Sequence, residues 1–201
     1  MSIYRVLVFL HVAGGVGMFV ALGIETVSLG RLRRAQTPSD ARTWMGLLRL
    51  PARIGPVSIL TNLATGVWMM VLLWGPQPWI QAAFLAVVGI AVTGAVASRR
   101  GMRALGQALP AETGPRLSAE FRSLLSRTPL VMSLWLRAAL GTGILGLMTI
   151  KPGVTGSLVS LAAALVVGLA AGIRSIATRP VAAEPDEALE HRVGHEERAA
   201  V

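Results

Sequence analysis

The chain has 201 residues, 53% of them apolar and 14% charged, where soluble domains carry about a quarter charged residues. A formal charge of +9 would suggest nucleic acid in a soluble protein. Here the arginines lie in connections between uncharged apolar runs, as topology signals and headgroup contacts, so nucleic acid is set aside as a partner. The absence of cysteine excludes disulfides, Cys-ligated zinc, iron–sulfur clusters and thiol catalysis.

A hydrocarbon core of about 30 Å takes about 20 helical residues to cross. Five stretches meet that length: 3–29, 54–74, 79–97, 130–150 and 154–173. The expected fold is an all-α integral membrane bundle over residues 1–178, followed by a polar, acidic, disordered tail over 179–201. The joint Gly75-Pro76-Gln77-Pro78 cannot continue a helix, and neither can Lys151-Pro152-Gly153. Both are short, so each should close an antiparallel hairpin. Thr128-Pro129 reads as a cap followed by proline at the first helical position. Trp74 and Trp79 flank the first joint, as indoles do at a headgroup boundary.

Arginine fixes the expected orientation. Arg31, Arg33, Arg34, Arg42, Arg49 and Arg53 fill the first long connection, and Arg99, Arg100, Arg103, Arg116, Arg122 and Arg127 the second. Arg174 and Arg179 follow the last stretch, and only Arg5 and Lys151 lie on the other side. The lipid bilayer is thus the expected surrounding, with the N-terminus outside and the C-terminus cytoplasmic. A cleaved signal peptide fits the first stretch poorly, because three arginines follow it rather than precede it. Lys151 is the chain's one lysine, a bias that suits a GC-rich bacterial genome and hence a bacterial cytoplasmic (inner) membrane. Within the long connections, Ala41, Trp44, Met45 and Leu48 recur with helical period, as do Leu117, Phe121, Leu124 and Leu125. Each set predicts a short amphipathic helix on the inner surface or against the bundle.

Three ionisable residues fall at membrane depth, where each costs a few kcal/mol unless partnered. His11, Met18 and Glu25 are spaced by sevens and share one helix face, with Gly14 and Gly15 beside it. Glu25 lies about one turn from the inner end of its helix and Arg137 about two turns from the inner start of the fourth. Their similar depth predicts a structural ion pair, against which stands separate snorkelling to the interface. His11 suits a haem ligand, a copper ligand together with Met18, a proton carrier, or a simple helix-contact histidine. Asn62 and Thr65 suit either a polar cavity or a bond across a helix contact. In the tail, His191 and His195 are four apart among glutamates, a spacing that could share a divalent metal on a helix. The stretch 63–67, Leu-Ala-Thr-Gly-Val, echoes 140–144, Leu-Gly-Thr-Gly-Ile, as a duplicated hairpin would.

The opening Leu7-Val8-Phe9-Leu10-His11-Val12-Ala13-Gly14-Gly15 resembles the first helix of copper-resistance D-like proteins and HemJ-type protoporphyrinogen oxidases. The resemblance covers about thirty residues. It implies haem ligation by His11, while the lysine that the oxidases need in a later helix has no counterpart in any apolar stretch here. Leu136-Arg137 through Lys151-Pro152 also resembles uncharacterised bacterial membrane proteins.

The residues supply no Ser–His–Asp set, no phosphate-binding loop and no second acid within the apolar stretches. The leading expectation is a non-enzymatic accessory or assembly bundle, working as a homo-oligomer or with a membrane-protein partner. Two others stand beside it: a haem- or copper-linked redox protein using His11, and a small solute or ion transporter. A pore would want a polar stripe along a whole helix, and none of the five stretches has one.

Overall fold

The computed structural model describes residues 3–125 and 128–177. The acidic tail, His191 and His195 lie outside them, as does the side chain of Thr128. Every regular element among the described residues is helical. In chain order they are α1 (Ile3–Leu32), α2 (Pro38–Leu47), α3 (Arg49–Met69), a π-helical turn (Met70–Trp74), α4 (Pro78–Thr93), a second π-helical turn (Gly94–Ser98) and α5 (Arg99–Ala108). A 3₁₀ turn (Leu109–Ala111), α6 (Ala119–Leu125), α7 (Thr128–Ile150) and α8 (Val154–Ala177) complete the chain.

Five of these helical runs are long and apolar enough to cross a membrane. Their outward surfaces are apolar as well: Phe9, Val71, Leu85, Ile150 and Val166 are each largely exposed. A surface of that kind is stable against lipid rather than water. The helices overrun the apolar stretches read from the sequence. The first continues to Leu32, the second starts at Arg49, and the third runs without a break through the π turn into α5. Backbone hydrogen bonding continues through arginine as readily as through leucine, so charge marks where apolar surface ends and not where the helix does.

The contacts between helices are unequal. α1 packs along α3, α7 along α8, and α4 on α7, whereas α3 and α4 touch sparingly although one short joint connects them. Small residues explain the close pairs. A methyl added at Gly14 would sit 2.9 Å from Asn62 Nδ2 and 3.1 Å from the Ser58 carbonyl oxygen. At Gly168 it would lie 2.9 Å from Leu136 Cα, and at Gly143 3.0 Å from the Ala164 methyl. Met18, Leu22, Trp79, Ala83, Ile90, Leu140 and Leu147 form the core of the bundle's middle.

A second core lies at one end. Leu29, Leu32, Ala41, Leu48, Leu105, Leu109, Leu117, Phe121, Leu125, Leu130 and Leu134 pack together there. α2 and α6 deliver Ala41, Phe121 and Leu125 to this core. Thr37 caps α2 by accepting from the Asp40 N–H at 3.2 Å. Glu112 ties down the approach to α6, accepting from the Ser118 N–H (2.8 Å) and hydroxyl (2.5 Å), while Ser118 Oγ accepts from the Phe121 N–H. The two connections meet where Leu117 N donates to the Gln36 carbonyl and Arg42 to the Glu112 carbonyl. At the opposite end, Trp74 and Trp79 stand edge to face with centroids 5.8 Å apart, and Lys151 Nζ lies 4.6 Å from the Trp74 ring.

Two outcomes follow. Gly14→Ala should cost about 1–3 kcal/mol by overpacking, read as thermal unfolding in detergent, while Gly23→Ala, which faces open space, should not lower stability, because alanine is the better helix former. The hydrogen bonds from Ser118 lower the Glu112 pKa below its ordinary value. A lowered carboxylate stabilises the folded form above the unfolded pKa and loses that contribution as pH falls through the folded one. Protection of the Ser118 and Phe121 amides, measured against their intrinsic exchange rates at each pH, should therefore fall in acid, and Glu112→Gln should remove that fall.

Candidate functional site

Glu25 and Arg137, 112 residues apart, meet in a bidentate pair. Arg137 Nη1 donates to Glu25 Oε2 at 2.8 Å and Nη2 to Oε1 at 2.5 Å. Their side chains are only 9% (Arg137) and 13% (Glu25) exposed. Two parallel charge-assisted bonds are the strongest arrangement open to a guanidinium and a carboxylate.

Neighbouring residues satisfy what remains. Arg137 Nε donates to the Ser133 carbonyl at 3.2 Å, and Nη2 also donates to Ser98 Oγ at 2.8 Å. Ser98 Oγ lies 3.4 Å from both Glu25 Oε1 and Ser133 Oγ, and Ser133 Oγ donates to the Thr93 carbonyl at 3.1 Å. Three helical runs thus converge on one polar cluster: α1, the π turn after α4, and α7. Gly94, in that turn, lies against the guanidinium: a methyl there would be 3.6 Å from Arg137 Cδ and Nη1.

Ser98 and Ser133 escape a search for ionisable residues. Ser133 carried a signal, since it lies one helical turn before an arginine inside an apolar stretch. Ser98 gives no such signal, since it directly precedes the Arg99-Arg100 pair at the end of an apolar stretch. Ser28, buried beside this region, has a hydroxyl with no partner among the described residues.

The pair forms the floor of a cavity of about 430 Å³ between α3 and the α4–α5 run. Pro51, Gly55, Ile59 and Leu63 line one wall and Ile90, Ala91, Ala95 and Met102 the other, with Arg99 at one end. The cavity is partly open, and α3, which packs along α1, touches α4 only sparingly beside it. The walls are apolar and the two floor charges answer one another. Such a site is equipped to hold an apolar or amphiphilic body, not to carry out acid–base chemistry.

His11 belongs to a separate place. Its Nδ1 lies 3.0 Å from Thr65 Oγ1, across the α1–α3 contact. Thr65 Oγ1 also lies 2.6 Å from the Thr61 carbonyl, and with its proton given there the ring donates from Nδ1. A neutral imidazole in that tautomer carries its lone pair on Nε2. Asn62 stands one turn away, its amide 3.5 Å from the Ser58 carbonyl. Met18 is buried in the middle core beside Leu22 and Trp79. The sevenfold spacing therefore gives His11, Met18 and Glu25 three different surroundings. Seven residues fall about 20° short of two full turns, enough over two steps to aim His11 at α3 and Glu25 at α7. No group of three His, Asp or Glu side chains suited to a metal occurs among the described residues. Comparison with protein-family models, curated proteins and solved structures gives no match.

Removing one member of a buried pair strands the other, at about 3–5 kcal/mol. Arg137→Leu should therefore lower the unfolding temperature in detergent sharply, and adding Glu25→Gln should restore part of it. A double variant no more stable than the single one would mean the two charges are not coupled.

Proposed function

We propose that this chain is a non-enzymatic accessory or assembly bundle of a bacterial cytoplasmic membrane, with its N-terminus outside and its C-terminus inside. The observation that carries this reading is the closed Glu25–Arg137–Ser98 cluster. The charges at membrane depth are used to tie three helical runs together, leaving a rigid scaffold with apolar flanks. The arginine-rich connections support the orientation through their one-sided placement. In it, α2 and α6 lie at the cytoplasmic face with their apolar sides against the end core. Gly23 and Gly30 of α1 leave open surface that suits close approach by a helix of another membrane protein or a second copy.

A second reading has a specific observation behind it. The Thr65 bond leaves His11 in the tautomer whose Nε2 can ligate a metal, which favours a haem- or copper-linked redox role. An optical spectrum and metal analysis of the purified protein separate the two readings. The scaffold role expects a colourless, copper-free protein, joined to one membrane partner after crosslinking in intact cells. A Soret band or bound copper that disappears with His11→Ala would replace it with the redox role. For orientation, cysteine can be introduced singly, since the chain has none. An impermeant maleimide should label Gln77→Cys in spheroplasts, but Thr43→Cys only after lysis; the opposite pattern would invert the topology.

A further inference from the structure

We propose that the cleft between α3 and the α4–α5 run holds one acyl chain of an anionic phospholipid, with the lipid phosphate seated on Arg99. This rests on the bundle spanning a bilayer, and neither on its orientation nor on its accessory role.

Size and shape come first. The cavity of about 430 Å³ falls within the roughly 300–1,000 Å³ of small-molecule sites. Its walls, built from Pro51, Ile59, Leu63, Ile90, Ala91 and Met102, are apolar over their length. Because it is partly open between two membrane-length helical runs that touch sparingly, a two-chained lipid can enter from the bilayer with one chain inside and the other left outside. Leu60, at the opening, is 68% exposed.

Charge decides which lipid. Glu25 and Arg137 cancel in their bidentate pair, so Arg99 alone sets the sign of the cleft. It is exposed, lines the cavity, and forms no hydrogen bond or ion pair among the described residues. Arg99 follows directly on the Gly94–Ser98 turn, at the end of α3 and α5 where Leu48 and Met102 also line the space. A phosphate there leaves the chain pointing toward Leu63 and Ile90, in the apolar depth of the bundle.

The backbone is adapted on both walls. The α4–α5 wall passes through a π-helical turn, a distortion that clusters at functional sites, and Gly94, Ala95 and Ser98 of that turn face the cleft. On the α3 wall, Pro56 lies inside the helix and has no N–H to offer the Ala52 carbonyl. Ala52 and Pro56 both line the cavity, so that carbonyl can accept from a headgroup hydroxyl.

Native mass spectrometry of the delipidated full chain tests this, with dioleoyl-phosphatidylglycerol, dioleoyl-phosphatidylcholine and oleate as probes. One phosphatidylglycerol should be retained in preference to phosphatidylcholine. Arg99→Gln should weaken that retention about fivefold, as loss of one interfacial arginine does, while Arg100→Gln, matched in charge and depth but outside the cavity, should not. Ala95→Phe and Leu60→Trp fill the cleft from different walls, and each should abolish retention while the unfolding temperature holds. Equal retention of both phospholipids, equal loss in the two arginine variants, or retention in both filled variants would overturn the proposal. So would preference for oleate, which would assign the cleft to free fatty acids, or no retention of any probe, which would leave it to a partner's helix.

Discussion

A charge held away from water must find its opposite, and this bundle is arranged around that requirement. The guanidinium of Arg137 needs a carboxylate in its own plane and acceptors for its remaining N–H groups. Glu25 supplies the first from α1, and Ser98 and the Ser133 carbonyl supply the others. Meeting all of them together fixes the height of α1 against α7 and brings in the turn that follows α4. Gly94 lies beside the arginine stem, where a methyl would meet Arg137 Cδ and Nη1 at 3.6 Å, an ordinary contact distance. Apolar contacts alone, between interchangeable leucines and valines in lipid, would not set such a register.

The two hairpins illustrate how small residues divide the work. α7 and α8 close on each other because Gly143 and Gly168 let the helices interlock. The small residues facing α3 belong instead to α1, at Gly14 and Gly17, so α3 packs there and leaves its own hairpin partner. The short joint at Gly75, with φ of +65°, keeps the chain ends together beside the Trp74–Trp79–Lys151 cluster while the far ends separate. The repeated Thr-Gly motif follows the same split. Thr65 is buried against His11, whereas Thr142 is exposed and bonds only within its own helix, to Ala138.

Much of this was legible in the sequence, for identifiable reasons. Five apolar runs and two proline-bearing joints announce helices of membrane length, since length and hydropathy are properties of each segment alone. Glu25 and Arg137 could be matched because each has a depth, and depth can be counted in residues from a segment's end. The splayed hairpin was not legible, because a three-residue joint sets the proximity of helix ends and not the angle between helices. Ser98 was hidden because a hydroxyl near the end of an apolar stretch usually bonds its own helix. The tautomer of His11 depended on where Thr65 sends its proton, which only three-dimensional neighbours decide.

The sequence distance across the central pair also has a meaning in time. Glu25 is synthesised 112 residues before the arginine that receives it. At about 5–20 residues per second, that is a wait of roughly 6–22 seconds. α1 therefore arrives at the membrane before α7, with an acid whose counter-charge does not yet exist. Its position about one turn from the end of the apolar stretch allows water at the interface to hold the carboxylate during that interval. The bundle can draw Glu25 inward only when its fourth long helix arrives, so α1 is sealed in place only after three other long helices have followed it.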